Sequence, residues 1–153
     1  MPALRWDAEL TVVSKARMSK EPEPQPIVLI VDDIEDNRKV MRNFLTLKHN
    51  CRVVEAEDGE AALKLALRES PSLILMDIGL PKYGGLAVIA QMRKRRRLRR
   101  VPIVAVTAYD SPGLRLEAEE AGVNDYVTKP LHPEEFGLMI DRFLQTSRKV
   151  NGE

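Results

Sequence analysis

The chain has 153 residues, of which 44% are hydrophobic and 31% are charged. This composition is typical of a globular protein and excludes a collagen-like or wholly disordered chain, and the length fits one domain. No apolar stretch approaches the roughly 20 residues that span a bilayer, and the N-terminus lacks the apolar core of a secretion signal. We therefore expect a cytoplasmic protein without a membrane partner.

The net charge of +1 hides an uneven distribution of charge. The run from Arg93 to Arg100, RKRRRLRR, holds seven of the 24 basic residues, which leaves 17 basic against 23 acidic residues and a net charge of −6 elsewhere. Three interpretations stay open: a solvated end of the third helix, a docking surface for an acidic protein partner, and a nucleic-acid contact. Nucleic acid is the least favoured, because no aromatic residues interleave and no recognition helix follows.

The two ends of the chain differ in composition from its middle. Residues 1–26 include the stretch SKEPEPQP, whose prolines favour an extended, solvated chain, so a flexible tail is predicted there. Met18 is a candidate for the true start of translation. We predict a folded domain over residues 27–147 and a C-terminal tail over 148–153. Cys51 is expected to be a small buried residue in a strand, and His49 and His132 are expected in loops or on the surface.

Five apolar runs of strand length recur from Ile27 onward, at 27–31 (IVLIV), 51–54 (CRVV), 73–76 (LILM), 101–106 (VPIVAV) and 123–127 (VNDYV). The segments between them have helical periodicity. The first helix is marked by Val40, Met41, Phe44 and Leu45, and the last by Phe136, Met139, Ile140, Phe143 and Leu144. Strands that alternate with helices and are apolar throughout indicate an α/β protein with a parallel sheet covered on both faces. The flavodoxin-like strand order 2-1-3-4-5 is the expected topology.

Polar residues fall at the carboxyl ends of these predicted strands. Asp32 and Asp33 follow the first strand, Asp77 the third and Thr107 the fourth, while Lys129 follows the fifth. The carboxyl ends of parallel strands share one edge of the sheet, so these side chains are expected to converge. The alternative, in which Asp32 and Asp33 only cap the first helix, would not require that convergence.

Three converging carboxylates need a positive partner. At an effective dielectric constant near 20, each pair at about 4 Å costs on the order of 4 kcal/mol. Mg²⁺ is the natural hard cation for such oxygen ligands, and Lys129 adds a second positive charge. Gly79 allows the backbone to approach closely. Asp77, held at the end of a rigid strand, is then a candidate nucleophile that forms an aspartyl phosphate.

Five motifs in this order resemble the receiver domain of two-component response regulators, over roughly residues 27 to 146. They are VDD at 31–33, LMDIGLP at 75–81, the pair Gly84-Gly85, AVTA at 105–108 and YVTKP at 126–130. The resemblance implies that Asp77 is the phosphoacceptor. It also implies that Asp32, Asp33, Asp77 and the Gly79 carbonyl bind Mg²⁺.

The resemblance further implies a role for the residues opposite this acidic group. Thr107 and Lys129 would contact the phosphoryl group, and the Lys129–Pro130 peptide bond would be cis. Tyr126 would act with Thr107 as a switch that alters partner binding at the face of helix four, strand five and helix five. Plain core packing is the alternative role for Tyr126. The absence of a side chain at Gly79, together with Tyr109, suggests slow self-dephosphorylation.

The resemblance implies a phosphorylation-controlled module that catalyses only its own phosphorylation and dephosphorylation. Its expected partners are a histidine kinase or histidine phosphotransferase and a downstream effector protein. A stand-alone receiver is expected, because the chain stops soon after the last helix. The alternatives are a phosphorelay intermediate and a receiver fragment of a larger hybrid kinase.

Three other classes fit the residues less well. A phosphatase of the haloacid dehalogenase type needs a second carboxylate two residues after the nucleophile, where this chain has Gly79. A flavodoxin needs a phosphate-binding loop after the first strand, where this chain has Asp32, Asp33, Glu35 and Asp36. A receiver-like module that is never phosphorylated conflicts with the complete set of site residues.

Overall fold

The computed structural model describes residues 24–80 and 84–151. Its strands are β1 (Ile27–Val31), β2 (Arg52–Ala56), β3 (Leu73–Asp77), β4 (Ile103–Thr107) and β5 (Asp125–Thr128). Its helices are α1 (Glu35–Lys48), α2 (Gly59–Glu69), α3 (Gly84–Lys94), α4 (Pro112–Ala121) and α5 (Pro133–Asn151), with a 3-10 turn at Arg96–Leu98. The predictions for Met18 and for most of the N-terminal tail lie outside the described residues, as does Pro81, the last residue of the LMDIGLP motif.

The five strands form one parallel sheet in the order β2-β1-β3-β4-β5. Val28 pairs with Leu73 across β1 and β3, and Ile74 pairs with Ile103 across β3 and β4. The predicted flavodoxin-like order is therefore confirmed. This register sets the carboxyl ends of β1, β3 and β4 side by side.

Both faces of the sheet are covered, because successive side chains of a strand point to opposite faces. On one face, side chains of β1 and β3 pack against side chains of α2 and α3. The strand residues are Leu29, Val31, Ile74 and Met76, and the helix residues are Ala62, Ala66, Ile89 and Met92. On the other face, side chains of β1, β3 and β4 pack against side chains of α1 and α5. The strand residues are Val28, Ile30, Leu75 and Val104, and the helix residues are Met41, Leu45, Phe136 and Ile140. The core thus holds the central strands rigidly, which matters for the residues at their ends.

The bounds of several elements differ from the sequence predictions, including β5, which begins at Asp125 and not at Val123. Cys51 is buried as expected, but it lies just before β2 and not inside the strand. β2 continues to Ala56 and includes Glu55, because Arg38 and Arg42 pair with that carboxylate at 3.3 and 2.6 Å. β4 begins only after Pro102, which has no N–H to donate to a neighbouring strand. Helix α5 runs to Asn151, so the expected domain boundary at 147 falls inside it.

Two side chains, those of Val40 and His49, differ in burial from the sequence predictions. The helical periodicity places Val40 on the apolar face of α1, but its side chain is 63% exposed, on the outer side of the helix. His49 was expected in a loop or on the surface. It does follow α1, yet its side chain is only 7% exposed, and its Nδ1 lies 2.9 Å from Oδ1 of Asp141 on α5.

The basic run is not uniformly solvated. Helix α3 ends at Lys94, so most of the run lies beyond the helix and in the 3-10 turn. Arg93 is half-buried and bonds to backbone and side-chain oxygens of two neighbouring loops. Burial lowers the pKa of its guanidinium. Arg93 is thus a structural residue, unlike the exposed basic residues that follow it.

Among the described residues, none of the helices combines the length and the apolarity that a bilayer-spanning segment requires.

Candidate functional site

The carboxyl edge of the sheet gathers the predicted polar residues. All five residues of β3 are buried, so Asp77 ends a strand with little freedom to move. Asp32 directly follows β1, Thr107 ends β4, and Lys129 directly follows β5. Because the strands are parallel, these four side chains meet at one end of the core.

Asp32 is completely buried, and hydrogen bonds fix its carboxylate. Its Oδ1 accepts a hydrogen bond from the backbone N–H of Ile34 at 2.9 Å and one from Nδ2 of Asn37 at 3.5 Å. Its Oδ2 lies 2.9 Å from Nζ of Lys129. Arg38 donates to the Asp32 carbonyl oxygen at 2.8 Å. A buried carboxylate with these partners is held in one orientation.

The Asp77 carboxylate is also buried but has fewer partners. Its Oδ1 accepts a hydrogen bond from the backbone N–H of Gly79 at 2.8 Å, and its Oδ2 lies 3.7 Å from Nζ of Lys129. Burial raises the pKa of Asp77 above its usual value, the Gly79 amide and Lys129 offset part of that rise, and Asp32 and Asp33 add to it. Asp77 is therefore positioned but incompletely neutralised.

The start of α3 fixes the backbone beside Asp77. Gly84 has a φ of 69°, which favours glycine, and Gly85 donates its N–H to the carbonyl oxygen of Ile78 at 3.2 Å. A Cβ atom on Gly85 would overlap the carbonyl oxygen of Asp77 and lie 2.5 Å from the Cα of Ile78. The glycine pair therefore allows the helix to pack directly on the backbone that carries the nucleophile.

Three carboxylates form the single cluster of metal-ligating side chains among the described residues. One oxygen from each of Asp32, Asp33 and Asp77 lies within 4.8 Å of the others. Asp33 is exposed, so the cluster opens to solvent on one side. An open set of carboxylate oxygens fits Mg²⁺, which keeps several of its waters when bound.

The β4 and β5 ends are linked beside this cluster. The backbone N–H of Lys129 donates to the Thr107 carbonyl oxygen at 2.7 Å. The buried Thr107 hydroxyl oxygen accepts a hydrogen bond from the backbone N–H of Tyr109 at 3.1 Å. The Lys129–Pro130 peptide bond is cis, as the resemblance to receiver domains implies. The hydroxyl and the ammonium group therefore lie on neighbouring strand ends.

Tyr126 lies on β5 and is tied to the loop after β4. Its hydroxyl donates to the Tyr109 carbonyl oxygen at 2.7 Å, and the guanidinium carbon of Arg115 lies 4.6 Å from its ring centroid. Burial, then the nearby Asp110 carboxylate, raises the pKa of Tyr126, and Arg115 and Thr107 partly offset this. The Tyr109 side chain is 73% exposed. The ring of Tyr126 is thus partly buried and held from two sides.

The structure brings together Asp32, Asp33, Asp77, Gly79 and Lys129, and it places Thr107 on the next strand end. Sequence reasoning missed Asn37 and Arg38, which support Asp32 from the first turns of α1. Their position in the helix that directly follows Asp32 and Asp33 was the sequence feature that could have indicated this role.

Comparisons with known proteins agree with this geometry. The family model described as response regulator receiver domain matches residues 28–141. The chain is similar to histidine kinase P4 of Formosa agariphila, with 32% identity over 126 residues that make up 82% of this chain and 9% of that protein. It is 36% identical to the response regulator PleD of Caulobacter vibrioides over 104 residues, which are 68% of this chain and 23% of that protein. The chain therefore spans less than a quarter of the length of either relative.

A solved structure gives the same fold. The receiver domain of the sensor histidine kinase PA1611 from Pseudomonas aeruginosa PAO1 has 33% sequence identity and a TM-score of 0.72. The match covers 80% of this chain and 99% of that chain. A magnesium ion is coordinated in the active site cleft of that domain.

Proposed function

The chain belongs to the family of response regulator receiver domains, and we propose that Asp77 is the residue that accepts the phosphoryl group. One observation supports this most strongly: the buried Asp77 carboxylate ends a rigid strand, 3.7 Å from the Lys129 ammonium group and beside two other aspartates. Receiver domains serve two-component signalling as phosphoacceptors. The chain does not need a further catalytic activity for that role.

The proposed reaction is transfer from a phosphohistidine. A carboxylate oxygen of Asp77 attacks phosphorus and forms the O–P bond, while the P–N bond to the donor imidazole breaks and its nitrogen keeps the electron pair. Lys129 approaches Asp77 at 3.7 Å and would balance negative charge on the phosphoryl oxygens. The Thr107 hydroxyl would donate to one of those oxygens. In a separate self-catalysed step, water attacks phosphorus, the O–P bond to Asp77 breaks, and inorganic phosphate leaves the free carboxylate behind.

We propose Mg²⁺ as the cofactor, bound by Asp32, Asp33, Asp77 and the Gly79 carbonyl. The carboxylate oxygens lie within 4.8 Å of one another, and the similar PA1611 domain has magnesium in its active site cleft. When bound, the ion neutralises charge that develops on the phosphoryl group. Asp32 is already oriented by Ile34 and Lys129, so it needs little rearrangement to bind metal.

The proposed output is a switch that involves Thr107 and Tyr126. The Thr107 hydroxyl accepts from Tyr109, and the Tyr126 hydroxyl donates to the carbonyl oxygen of the same residue. Movement of Thr107 toward a phosphoryl group would disturb this loop and release Tyr126 to rotate inward. Partner binding at the face of α4, β5 and α5 would change as a result.

We also propose that the phosphorylated state is long-lived. Gly79 has no side chain to orient an attacking water, and Tyr109 stands two residues after Thr107 at the edge of the site. A phosphoaspartate half-life of minutes or longer is expected, and a half-life of seconds would contradict this part of the proposal.

The proposed setting is the cytoplasm, where a histidine kinase or a histidine phosphotransferase supplies the phosphoryl group and an effector protein reads the switch. We propose that residues 27–147 act as a receiver domain that regulates this effector. A phosphorelay intermediate and a receiver fragment of a hybrid kinase are the alternatives. Transfer of the phosphoryl group from the protein onto a second histidine would identify the phosphorelay role.

The test is phosphorylation by acetyl phosphate with Mg²⁺, followed by intact mass spectrometry. The wild-type protein should gain one phosphoryl group, and Asp77→Asn should gain none. Asp36→Asn is the matched control, because it removes an exposed carboxylate from the first turn of α1, and it should be phosphorylated like the wild type. Equal phosphorylation of Asp77→Asn and the wild type would refute the assignment.

A further inference from the structure

The amino edge of the sheet, opposite to the phosphoacceptor site, carries a second concentration of charge. Lys94 ends α3, the arginines at 95–97 and at 99–100 follow, and β4 begins at Ile103. We name residues 94–100 the basic turn. Because it leads into the amino end of β4 and Thr107 ends that strand, the basic turn and the acidic cluster lie at opposite edges of the sheet.

Arg93 holds the backbone of the basic turn through hydrogen bonds on the side that faces the core. Its Nη1 donates to the carbonyl oxygens of Leu98, Arg99 and Val101 at 2.8, 3.1 and 2.7 Å. The Leu98 side chain is 1% exposed and packs in the core. The turn is therefore held in a fixed shape on its inner side.

Arg93 also joins the basic turn to the loop between α4 and β5. Its Nε donates to the Gly122 carbonyl oxygen at 2.9 Å, and its Nη2 donates to Oδ1 of Asn124 at 2.8 Å. Gly122 has a φ of 110°, and a Cβ atom there would lie 2.8 Å from Cγ of Arg93. Gly122 thus leaves space for the Arg93 side chain. The half-buried Arg93 holds a turn whose other basic side chains are exposed.

The six cations of the basic turn are all exposed: Lys94, Arg95, Arg96, Arg97, Arg99 and Arg100. In the part of the chain that the structure describes, none of them forms an ion pair, and Arg97 bonds only to the Ser70 hydroxyl at 3.2 Å. Other arginines pair with carboxylates, for example Arg52 with Glu69 at 2.9 Å and Arg115 with Asp110 at 2.7 Å. The basic turn therefore keeps its charges available to a ligand.

Stabilisation of a helix end does not explain this arrangement. The favourable interaction of a cation with the helix dipole falls off within the last turn, and Lys94 is the only one of the six inside α3. The remaining five repel one another across a few residues, which destabilises the folded state slightly. Exposed, mutually repelling cations on a rigid turn are better explained by a partner that is negatively charged.

We propose that the basic turn docks a short acidic segment of a partner protein. Guanidinium groups bind carboxylates with two parallel hydrogen bonds, and five of the six cations are arginines. The only apolar residue of the turn, Leu98, is buried. The partner segment is therefore recognised through its carboxylates and needs no apolar anchor.

Nucleic acid fits this surface less well. The turn has no aromatic side chain on which a base can stack, and its 3-10 helix of three residues is too short to lie in a major groove as a recognition helix. Glu119 and Glu120 are exposed on the last turn of α4, next to the loop that Arg93 contacts. Their negative charge would repel a long polyanion that extended from the basic turn toward α4.

The test uses the full chain and a fluorescently labelled short poly-glutamate peptide, with binding followed by anisotropy at physiological salt. Replacing Arg95, Arg96 and Arg99 by glutamine should weaken binding about tenfold, the scale of three exposed ion pairs. The control replaces the exposed Lys39, Lys48 and Lys64 by glutamine, which removes the same charge from α1 and α2, and it should change the affinity less than twofold. The thermal midpoint of the arginine variant should equal or exceed that of the wild type.

Two outcomes would overturn the proposal. Equal weakening in the two triple variants would show that net charge alone attracts the peptide. Tighter binding of a single-stranded oligonucleotide with the same number of charges would assign the surface to nucleic acid. The Asp77→Asn variant should bind the peptide like the wild type, so the result is independent of whether Asp77 is the phosphoacceptor.

Discussion

The two edges of the sheet concentrate charge in different ways. At the carboxyl edge, three carboxylates lie close together, and two of them, Asp32 and Asp77, are buried beside Lys129. At the amino edge, the exposed cations stay in water and only Arg93 beneath them is half-buried. Buried charges depend on their partners, whereas exposed charges hardly do. Substitutions at the two edges should therefore differ in their effect on stability even where they remove the same charge.

The largest effect is expected for Lys129→Met. This change leaves the fully buried Asp32 without its 2.9 Å partner and should lower the free energy of unfolding by about 4 kcal/mol in metal-free buffer, since an uncompensated buried charge is strongly destabilising. Urea denaturation measures this loss in the free energy of unfolding. Lys64→Met is the control, because Lys64 is 76% exposed and pairs with an exposed Glu60; it should cost about 0.5 kcal/mol. Similar losses in both variants would show that Lys129 is an ordinary surface cation.

The next largest effect is expected for Arg93→Ala, which removes hydrogen bonds to four carbonyl oxygens and to the Asn124 side chain. Hydrogen bonds from a charged donor are among the stronger ones, and the loss should be about 3 kcal/mol. Arg95→Ala, two residues away on the exposed surface, should change stability by about 0.5 kcal/mol or less. Chemical denaturation of both variants makes the comparison, and equal stabilities would contradict the structural role of Arg93.

A smaller effect is expected for Gly85→Ala at the carboxyl edge. The added methyl group would press on the backbone of Asp77 and Ile78, which cannot move aside as a flexible side chain can, so the loss should be about 2 kcal/mol. Gly113→Ala is the control, because a Cβ atom at Gly113 meets nothing within 4 Å. That variant should be as stable as the wild type or slightly more stable. A Gly85→Ala variant of unchanged stability would show that α3 does not pack tightly on the Asp77 backbone.

The smallest effect is expected for Asp77→Asn in the presence of EDTA, and its sign is opposite. Burial raises the pKa of Asp77 in the folded protein, so the folded state binds that proton more tightly than the unfolded state does. The contribution of Asp77 to the free energy of unfolding is therefore most favourable at low pH and is lost as the pH rises through the pKa of Asp77 in the folded protein. Above that pH, Asp77→Asn should melt at a higher temperature than the wild type, and the difference should shrink in acid. A difference that grows in acid would contradict this explanation.

The fold and the acidic site were predictable because local patterns specify them. The apolar runs identified all five strands, and parallel strands must bring Asp32, Asp77 and Lys129 to one edge. The bounds were less predictable. Glu55 sits inside β2 because Arg38 and Arg42 reach it from α1, and a propensity pattern does not show such a contact.

Long-range contacts explain the other differences. The sequence of the run RKRRRLRR does not distinguish its basic residues from one another. Only the four-residue spacing between the buried Ile89 and Arg93 indicated that the Arg93 side chain faces the core. The contact of His49 with Asp141 joins residues 92 positions apart, so no local pattern indicates it. Val40 is apolar but exposed, since α1 buries only one side against the sheet.

The most direct test of the assignment at the carboxyl edge is to locate the phosphoryl group. The protein is treated with acetyl phosphate and Mg²⁺ and then with sodium borohydride, which reduces an aspartyl phosphate to homoserine, and its peptides are sequenced by mass spectrometry. Homoserine should stand at position 77 and at no other aspartate, and EDTA should abolish it. Modification at another aspartate with Asp77 intact would contradict the assignment.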